Sequence, residues 1–317
     1  MLDAVVVAYQ SNSTIHGCVK ELLKIPGLQH VVVVDHGDDG AGVAAEGLGA
    51  TVVYDPKNPG FGVGQNRGIA LTSAPYVLMC NPDAVVLPEA IAAGLLALVG
   101  QRDLAALQGA VRERDRDLFQ RSYWQSVGAI HLWVRILRLG VILRMRPLRA
   151  LGVSRRHLLP HGPQATREVQ AMAAITLLIR REAFEEIGGF DPAYFLYWED
   201  LDLCKRLRNV GWRLCVTPDT WAVHIGGASS GDAIEREHQW WRGCMRYTAL
   251  WYPTSQWLAA LGAATVQWLT LSAARPRLAR CFWRDLITTP RRVRRDSMYS
   301  GLSSGHPNGP PKFSSGQ

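Results

Sequence analysis

The chain has 317 residues, 48% of them hydrophobic and 20% charged, which is enough apolar mass for a buried core and excludes a disordered tether. Six cysteines (Cys18, Cys80, Cys204, Cys215, Cys244, Cys281) form no C-x-x-C pair, which argues against a zinc cluster or a disulfide scaffold and predicts reduced thiols in a cytosolic compartment. The net charge of +8 is concentrated, with 12 basic residues against 3 acidic ones from Arg112 to Arg167 and 8 against 1 from Arg275 to Arg295, so an anionic partner is expected.

The N-terminal MLDAVVVAYQ lacks a basic region, an apolar stretch and a small-residue cleavage site, so no secretory signal is predicted. Ala4 to Ala8 and Val31 to Asp35 are short apolar β-branched runs ending in polar residues, the pattern of strands buried on both faces of a parallel sheet. Between them a Ser-Asn-Ser-Thr cluster suits the cap of a helix over Ile15 to Leu23. A strand at Thr51 to Tyr54, a Gly-rich turn, a helix near Gln65 to Leu71 and a strand at Tyr76 to Cys80 repeat the alternation. This predicts an α/β fold whose ligands bind at the carboxyl ends of the strands.

Residues 111 to 168 break the rhythm. Strand character resumes at Val169 to Ile179, followed by a helix over Arg181 to Ile187, a Gly-Gly-Phe-Asp-Pro turn, and Leu203, Leu207 and Val210 at helical spacing before Gly211. Beyond His224 the chain becomes Trp-rich and helical, and 296–317 has the composition of a disordered tail.

Several residues carry chemistry in this frame. Asp35 ends the second strand and Asp83 follows another in Asn81-Pro82-Asp83. A carboxylate there either shapes a turn or reaches a ligand hydroxyl or a phosphate-bound metal. Gly60-Phe-Gly-Val-Gly-Gln-Asn66 fails the dinucleotide fingerprint at its third glycine and follows the third strand, so it reads as a loop leading into a helix that presents Asn66. Trp198-Glu199-Asp200-Leu-Asp202 places three acids at a helix start, where they complement the helix dipole or, beside Trp198 and Tyr197, supply a partly desolvated general base. His224, next to a Gly/Ser loop, is either structural or a metal or phosphate ligand.

Taken together and in this order, Val7-Ala8-Tyr9, Val34-Asp35, Asn58-Pro59-Gly60-Phe61-Gly62 with Asn66, Asn81-Pro82-Asp83, Gly188-Gly189-Phe190-Asp191, Trp198-Glu199-Asp200 and His224 resemble family 2 glycosyltransferases of GT-A fold, within them the bacterial rhamnosyltransferases. The resemblance covers roughly residues 1 to 230 and is specific as an ensemble. It implies a Rossmann-like nucleotide-binding half with a mixed central sheet over 1–228, carrying a basic insertion at about 112–167, then a C-terminal helical appendage at 229–295 near a membrane and the tail 296–317. It further implies donor-nucleotide binding by Ala8, Tyr9, Asp35, Asn66 and Asn81, and Mg²⁺ or Mn²⁺ at Asp83 and His224. Asp200 would be the catalytic base, with Glu199 and Trp198 on the acceptor side. The implied reaction is inverting transfer of one sugar, L-rhamnose from dTDP-rhamnose, to a polyprenyl-diphosphate-linked saccharide. The alternatives are another donor such as UDP-galactofuranose, or an inactive sugar-nucleotide-binding subunit. Two positions depart from the family pattern: Asn81 stands where the D-x-D element has its first acid, and His36-Gly37-Asp38-Asp39 stands where Asn-Gly-Ser is usual.

The basic segments are assigned to a membrane surface. At 100° per residue, His131, Arg135, Arg138, Arg146 and Arg149 share a helix face opposite Ile130, Trp133, Leu137, Val141 and Met145, although Ile142 and Arg144 violate the pattern. Tyr247 to Ala274 carries no charge but contains Pro253, Gln256 and Gln267, which favours a buried or interface-lying helix over a span. With no nucleic-acid-binding signature, a peripheral protein at the cytoplasmic face of the cell membrane is expected.

Overall fold

The structure, a computed structural model, describes residues 1–114, 119–120, 122–125, 162–225 and 233–272. The amphipathic helix expected over 130–149, the Arg-rich 275–295 and the tail 296–317 lie outside the described residues.

In chain order the N-terminal part comprises β1 (Leu2–Ala8), α1 (Asn12–Leu22), β2 (Leu28–Asp35), α2 (Ala41–Glu46), β3 (Thr51–Tyr54), α3 (Phe61–Ala70), β4 (Tyr76–Cys80), β5 (Ala84–Val86), α4 (Pro88–Val99) and β6 (Leu104–Glu113). Then come β7 (Tyr123–Trp124), β8 (Arg167–Glu168), β9 (Ala171–Met172), β10 (Thr176–Arg180), α5 (Arg181–Glu186), α6 (Glu199–Asn209), β11 (Arg213–His224), α7 (Ala233–Trp251) and α8 (Thr254–Ser272). Eight strands form the path β3-β2-β1-β4-β10-β6-β11-β5, with β8 added against β11. Pairing is parallel among β3, β2, β1 and β4, antiparallel on both sides of β10, and parallel again between β6 and β11. The mixed sheet expected from the sequence is therefore present.

β1 sits at the switch point of this sheet. The chain leaves it toward β2 on one side and returns as β4 on the other, so a crevice opens at the carboxyl ends of β1, β2 and β4. Side chains alternate along β1: Ala4 and Val6 join the core layer formed with α1, α2 and α4, while Val5 joins the layer formed with α3, α5, α6 and α7.

Three local expectations change. Ser11 stands at the start of α1, but its hydroxyl donates to the Tyr9 carbonyl, and the helix end is satisfied from across the chain, Asn12 N–H donating to Asp39 Oδ2 at 2.7 Å. The glycine-rich stretch is not a loop before a helix. α3 already begins at Phe61, and a Cβ on Gly64 or Gly68 would meet Val7 or Val5 at 2.9 or 2.3 Å, so these glycines let the helix lie close on β1. The strand expected over Val169 to Ile179 is interrupted, leaving the short β9 and, after 173–175, β10.

The uncharged stretch from Tyr247 is broken at Pro253, where α7 ends and α8 starts. Among the described residues no helix is long and apolar enough to cross a membrane. Cys18, Cys80, Cys204, Cys215 and Cys244 are all buried.

Candidate active site

The strand ends deliver the donor-side residues. Ala8 is buried, whereas Tyr9 is 44% exposed at the mouth of the crevice. Asp35, the last residue of β2, is buried, and its carboxylate accepts N–H groups from Gly37 (2.9 Å) and Gly42 (2.7 Å), so it shapes the loop after β2. Asn66 acts as a clip: its carboxamide accepts from Phe190 N–H and donates to Phe190 O, both at 2.9 Å, tying α3 to the Gly188-Gly189-Phe190-Asp191 turn. Asn81 holds its turn through the backbone, donating its N–H to Ile175 O and accepting from Ala84 N–H.

Asp83 and His224 lie 141 residues apart in sequence and meet where β5 pairs with the end of β11, with Nε2 of the imidazole 2.9 Å from Asp83 Oδ1. Both side chains are nearly buried. The second ring nitrogen, Nδ1, is 2.7 Å from Gln120 Oε1. Each ring nitrogen thus faces an oxygen, and a neutral imidazole has a single N–H to divide between the two. His224 Nε2 and Asp83 Oδ1 would offer a divalent cation one nitrogen and one oxygen ligand, a donor set that suits Mn²⁺ or Mg²⁺ when phosphate oxygens and water supply the rest. Among the described residues no group of three or more His, Cys, Asp or Glu could hold a metal, so the chain itself offers this pair.

The three acids of the Trp198 motif separate into different roles. Asp202 is fully buried, pairs with Arg206 Nε at 2.7 Å and accepts from Trp251 Nε1 at 2.8 Å, which commits it to structure. Glu199 is buried with Oε2 lacking a partner among the described residues, and burial followed by the adjacent Asp200 charge pushes its carboxyl well above the usual range. Asp200 stays partly exposed. Burial raises it to about 6, against backbone N–H groups of Leu201 and Ala174 that favour the carboxylate. A carboxylate poised near 6 and reachable from solvent has the properties of a general base.

This motif is held from the other side by α7, a contribution the sequence reading did not find. Tyr197 and Trp198 adopt φ of +70° and +73°, conformations that cost non-glycine residues about 1–3 kcal/mol each. The Trp198 ring packs against Trp240 (5.2 Å between centroids) and Tyr247 (5.3 Å). A Cβ on Gly243 would lie 2.4 Å from Tyr197 O, so only glycine permits this approach. Arg246 adds two bonds to Asp191 Oδ2, at 2.9 and 2.6 Å. The glycine between Trp and Arg clusters was the available signal, but it has meaning only once α7 is docked.

Comparison with known proteins agrees with this architecture. Residues 2–243 match the model of the family described as glycosyltransferase like family 2. The N-acetylglucosaminyl-diphospho-decaprenol L-rhamnosyltransferase of Mycobacterium tuberculosis is 34% identical over 98 residues, 26% of this chain and 32% of that protein, so the match spans about a third of that relative. Rhamnosyltransferase WbbL of Escherichia coli is 23% identical over 199 residues, covering 60% of this chain and 70% of its own. Among solved structures, the mannosyltransferase PcManGT from Pyrobaculum calidifontis, in complex with GDP-Man and Mn²⁺, superposes with a TM-score of 0.53 at 16% identity, covering 93% of this chain and 87% of that one. The sheet, the crevice at its switch point and the family match over most of its length establish this chain as a member of glycosyltransferase family 2 with the GT-A fold.

Proposed function

We propose that this glycosyltransferase moves a single L-rhamnosyl group from dTDP-rhamnose to a polyprenyl-diphosphate-linked saccharide, with inversion, as a peripheral protein at the cytoplasmic face of the membrane. The observation that carries the mechanism is Asp200: it is partly exposed and poised near pH 6, while Asp202 is consumed by Arg206 and Glu199 is pushed toward its neutral form. In this reading Asp200 takes the proton of the acceptor hydroxyl as that oxygen bonds to the anomeric carbon and the bond to the diphosphate breaks on the opposite face. Bound Mg²⁺ or Mn²⁺ at Asp83 and His224 supplies positive charge toward the leaving diphosphate. Trp198 and Glu199 lie on the acceptor side, and Ala8, Tyr9, Asp35, Asn66 and Asn81 frame the donor nucleotide. Support for the sugar comes from the mycobacterial and E. coli relatives, both rhamnosyltransferases, and support for the lipid-linked acceptor from the mycobacterial relative; support for the metal comes from the complexes of PcManGT with Mn²⁺ and of a mycobacterial glucosyl-3-phosphoglycerate synthase with Mg²⁺.

The test is incubation with radiolabelled dTDP-rhamnose, Mn²⁺ and a decaprenyl-diphosphate-linked N-acetylglucosamine. Label entering the lipid fraction, abolished by chelator, is the expected result. Transfer from UDP-galactofuranose alone reassigns the donor. Donor binding with no transfer to any lipid-linked acceptor restores the inactive-subunit reading that Asn81 favours, and full activity in excess chelator removes the metal.

A further inference from the structure

The segment carrying Gln120 is pinned to β6 by contacts that have no part in the chemistry above. Gln120 N–H donates to Val111 O at 2.8 Å, Phe119 forms an antiparallel bridge with Arg112, and the Arg112 guanidinium lies over the Phe119 ring at 5.4 Å. β6 and β11 run side by side here, Glu113 opposite His224, so the anchor fixes the Gln120 side chain relative to the imidazole. Gln120 Oε1 meets His224 Nδ1 at 2.7 Å, while the imidazole's own Nε2 lies 2.9 Å from Asp83 Oδ1.

We propose that Gln120 is the positioning residue of the metal site: by accepting Nδ1–H it holds His224 in the tautomer whose Nε2 lone pair is directed toward the cation shared with Asp83. This rests on the reading of Asp83 and His224 as the metal pair. The physical basis is general. An imidazole has one proton for two nitrogens, so the partner of the outer nitrogen decides which nitrogen can ligate, and it also fixes the ring plane and raises the ligand's basicity. Asn81 leaves the site one carboxylate short of the family's D-x-D element, so orientation of the remaining nitrogen ligand carries more of the affinity here.

The experiment measures Mn²⁺ binding to the full chain by the electron paramagnetic resonance signal of free Mn²⁺, with Mn²⁺ alone and with dTDP added. The proteins are wild type, Asp83→Ala, His224→Ala, Gln120→Met, Gln120→Glu and the double variant His224→Ala/Gln120→Met, each first checked for folding by circular dichroism. Gln120→Met keeps side-chain length and removes the acceptor, so its affinity is expected to fall about 10–100-fold, whereas Gln120→Glu, which can only accept, retains binding. In the His224→Ala background Gln120→Met should cost nothing further, because the effect passes through the ring. Wild-type affinity in Gln120→Met, with His224→Ala weakened, overturns the role of Gln120 and leaves the metal pair intact. An undiminished Gln120→Met loss in the His224→Ala background also overturns it, since Gln120 then acts on the metal directly. If Gln120→Met fails to fold, loss of binding by a folded Gln120→Glu overturns the proposal. Wild type without Mn²⁺ binding, or Asp83→Ala and His224→Ala binding as wild type does, instead removes the metal pair on which the proposal stands.

Discussion

Asp200 concentrates the conflict between stability and chemistry in one carboxyl group. With its folded value raised from 3.8 to about 6, the native state holds a proton that the unfolded chain releases, so stability falls as pH rises through this window and the penalty is complete above it. Asp200→Asn removes that penalty. It is expected to raise the Tm by a few degrees at pH 7.5, with the gain shrinking toward pH 4, while sugar transfer drops about 10²–10⁴-fold and donor binding persists. Calorimetry and a transfer assay on the same preparation check both arms; a lower Tm at neutral pH contradicts the assignment. For the wild type, kcat/KM should rise with unit slope up to about pH 6 and then level, as expected when the base must be ionised. Glu199→Gln replaces a carboxyl already pushed toward neutrality with a neutral amide, so a mild effect on transfer is expected; should it exceed that of Asp200→Asn, the two roles exchange.

At the level of elements, α6 and α7 hold the left-handed Tyr197-Trp198 turn between them. Arg206 is buried on α6, bonded to Asp202 and to the carbonyls of Ile187 and Gly189 at 2.9 and 2.6 Å. Arg206→Met strands the Asp202 carboxylate in a dry interior, and urea unfolding should show a loss of about 3–5 kcal/mol. Gly243→Ala works from the other side. Its methyl group cannot coexist with Tyr197 O, so the turn must move, and displacement of about 1 Å costs on the order of 10²-fold in transfer. Donor affinity, set at the strand ends, should remain near wild type; a parallel loss of nucleotide binding would show that the damage reaches further than the acceptor side.

For the whole molecule, no helix among the described residues is long and apolar enough to cross a membrane. The proposed lipid contact rests on the basic residues 112–167 and 275–295. Changing Arg135, Arg138, Arg146 and Arg149 together to Gln removes about 1 kcal/mol each near an anionic surface, so co-sedimentation with phosphatidylglycerol vesicles should be lost at physiological salt. The wild-type interaction should weaken as salt rises. Unchanged co-sedimentation would return these arginines to an ordinary solvated face.

The apolar β-branched runs of β1 and β2 and the acids and turn residues after the strands were legible in the sequence because their signals are local: a buried strand needs a continuous apolar run, and the family's motifs recur in a fixed order. That was sufficient for the parallel strands β1 to β4 and for the crevice at their carboxyl ends. β6 and β11 escaped, the latter because Pro218 and polar neighbours interrupt its pattern and its pairing with β6 shifts register, so it is a strand only by virtue of its neighbours. Tertiary structure alone separated the three acids of the Trp198 motif, since burial and the Arg206 and Trp251 partners distinguish Asp202 from Asp200 although they lie two residues apart. It also turned Asn66 into a clip on Phe190 and brought Gln120 against His224. Contacts across more than 100 residues leave no trace in local composition, and desolvation, which sets the acid that ionises near pH 6, is a property of the surroundings that only the folded chain creates.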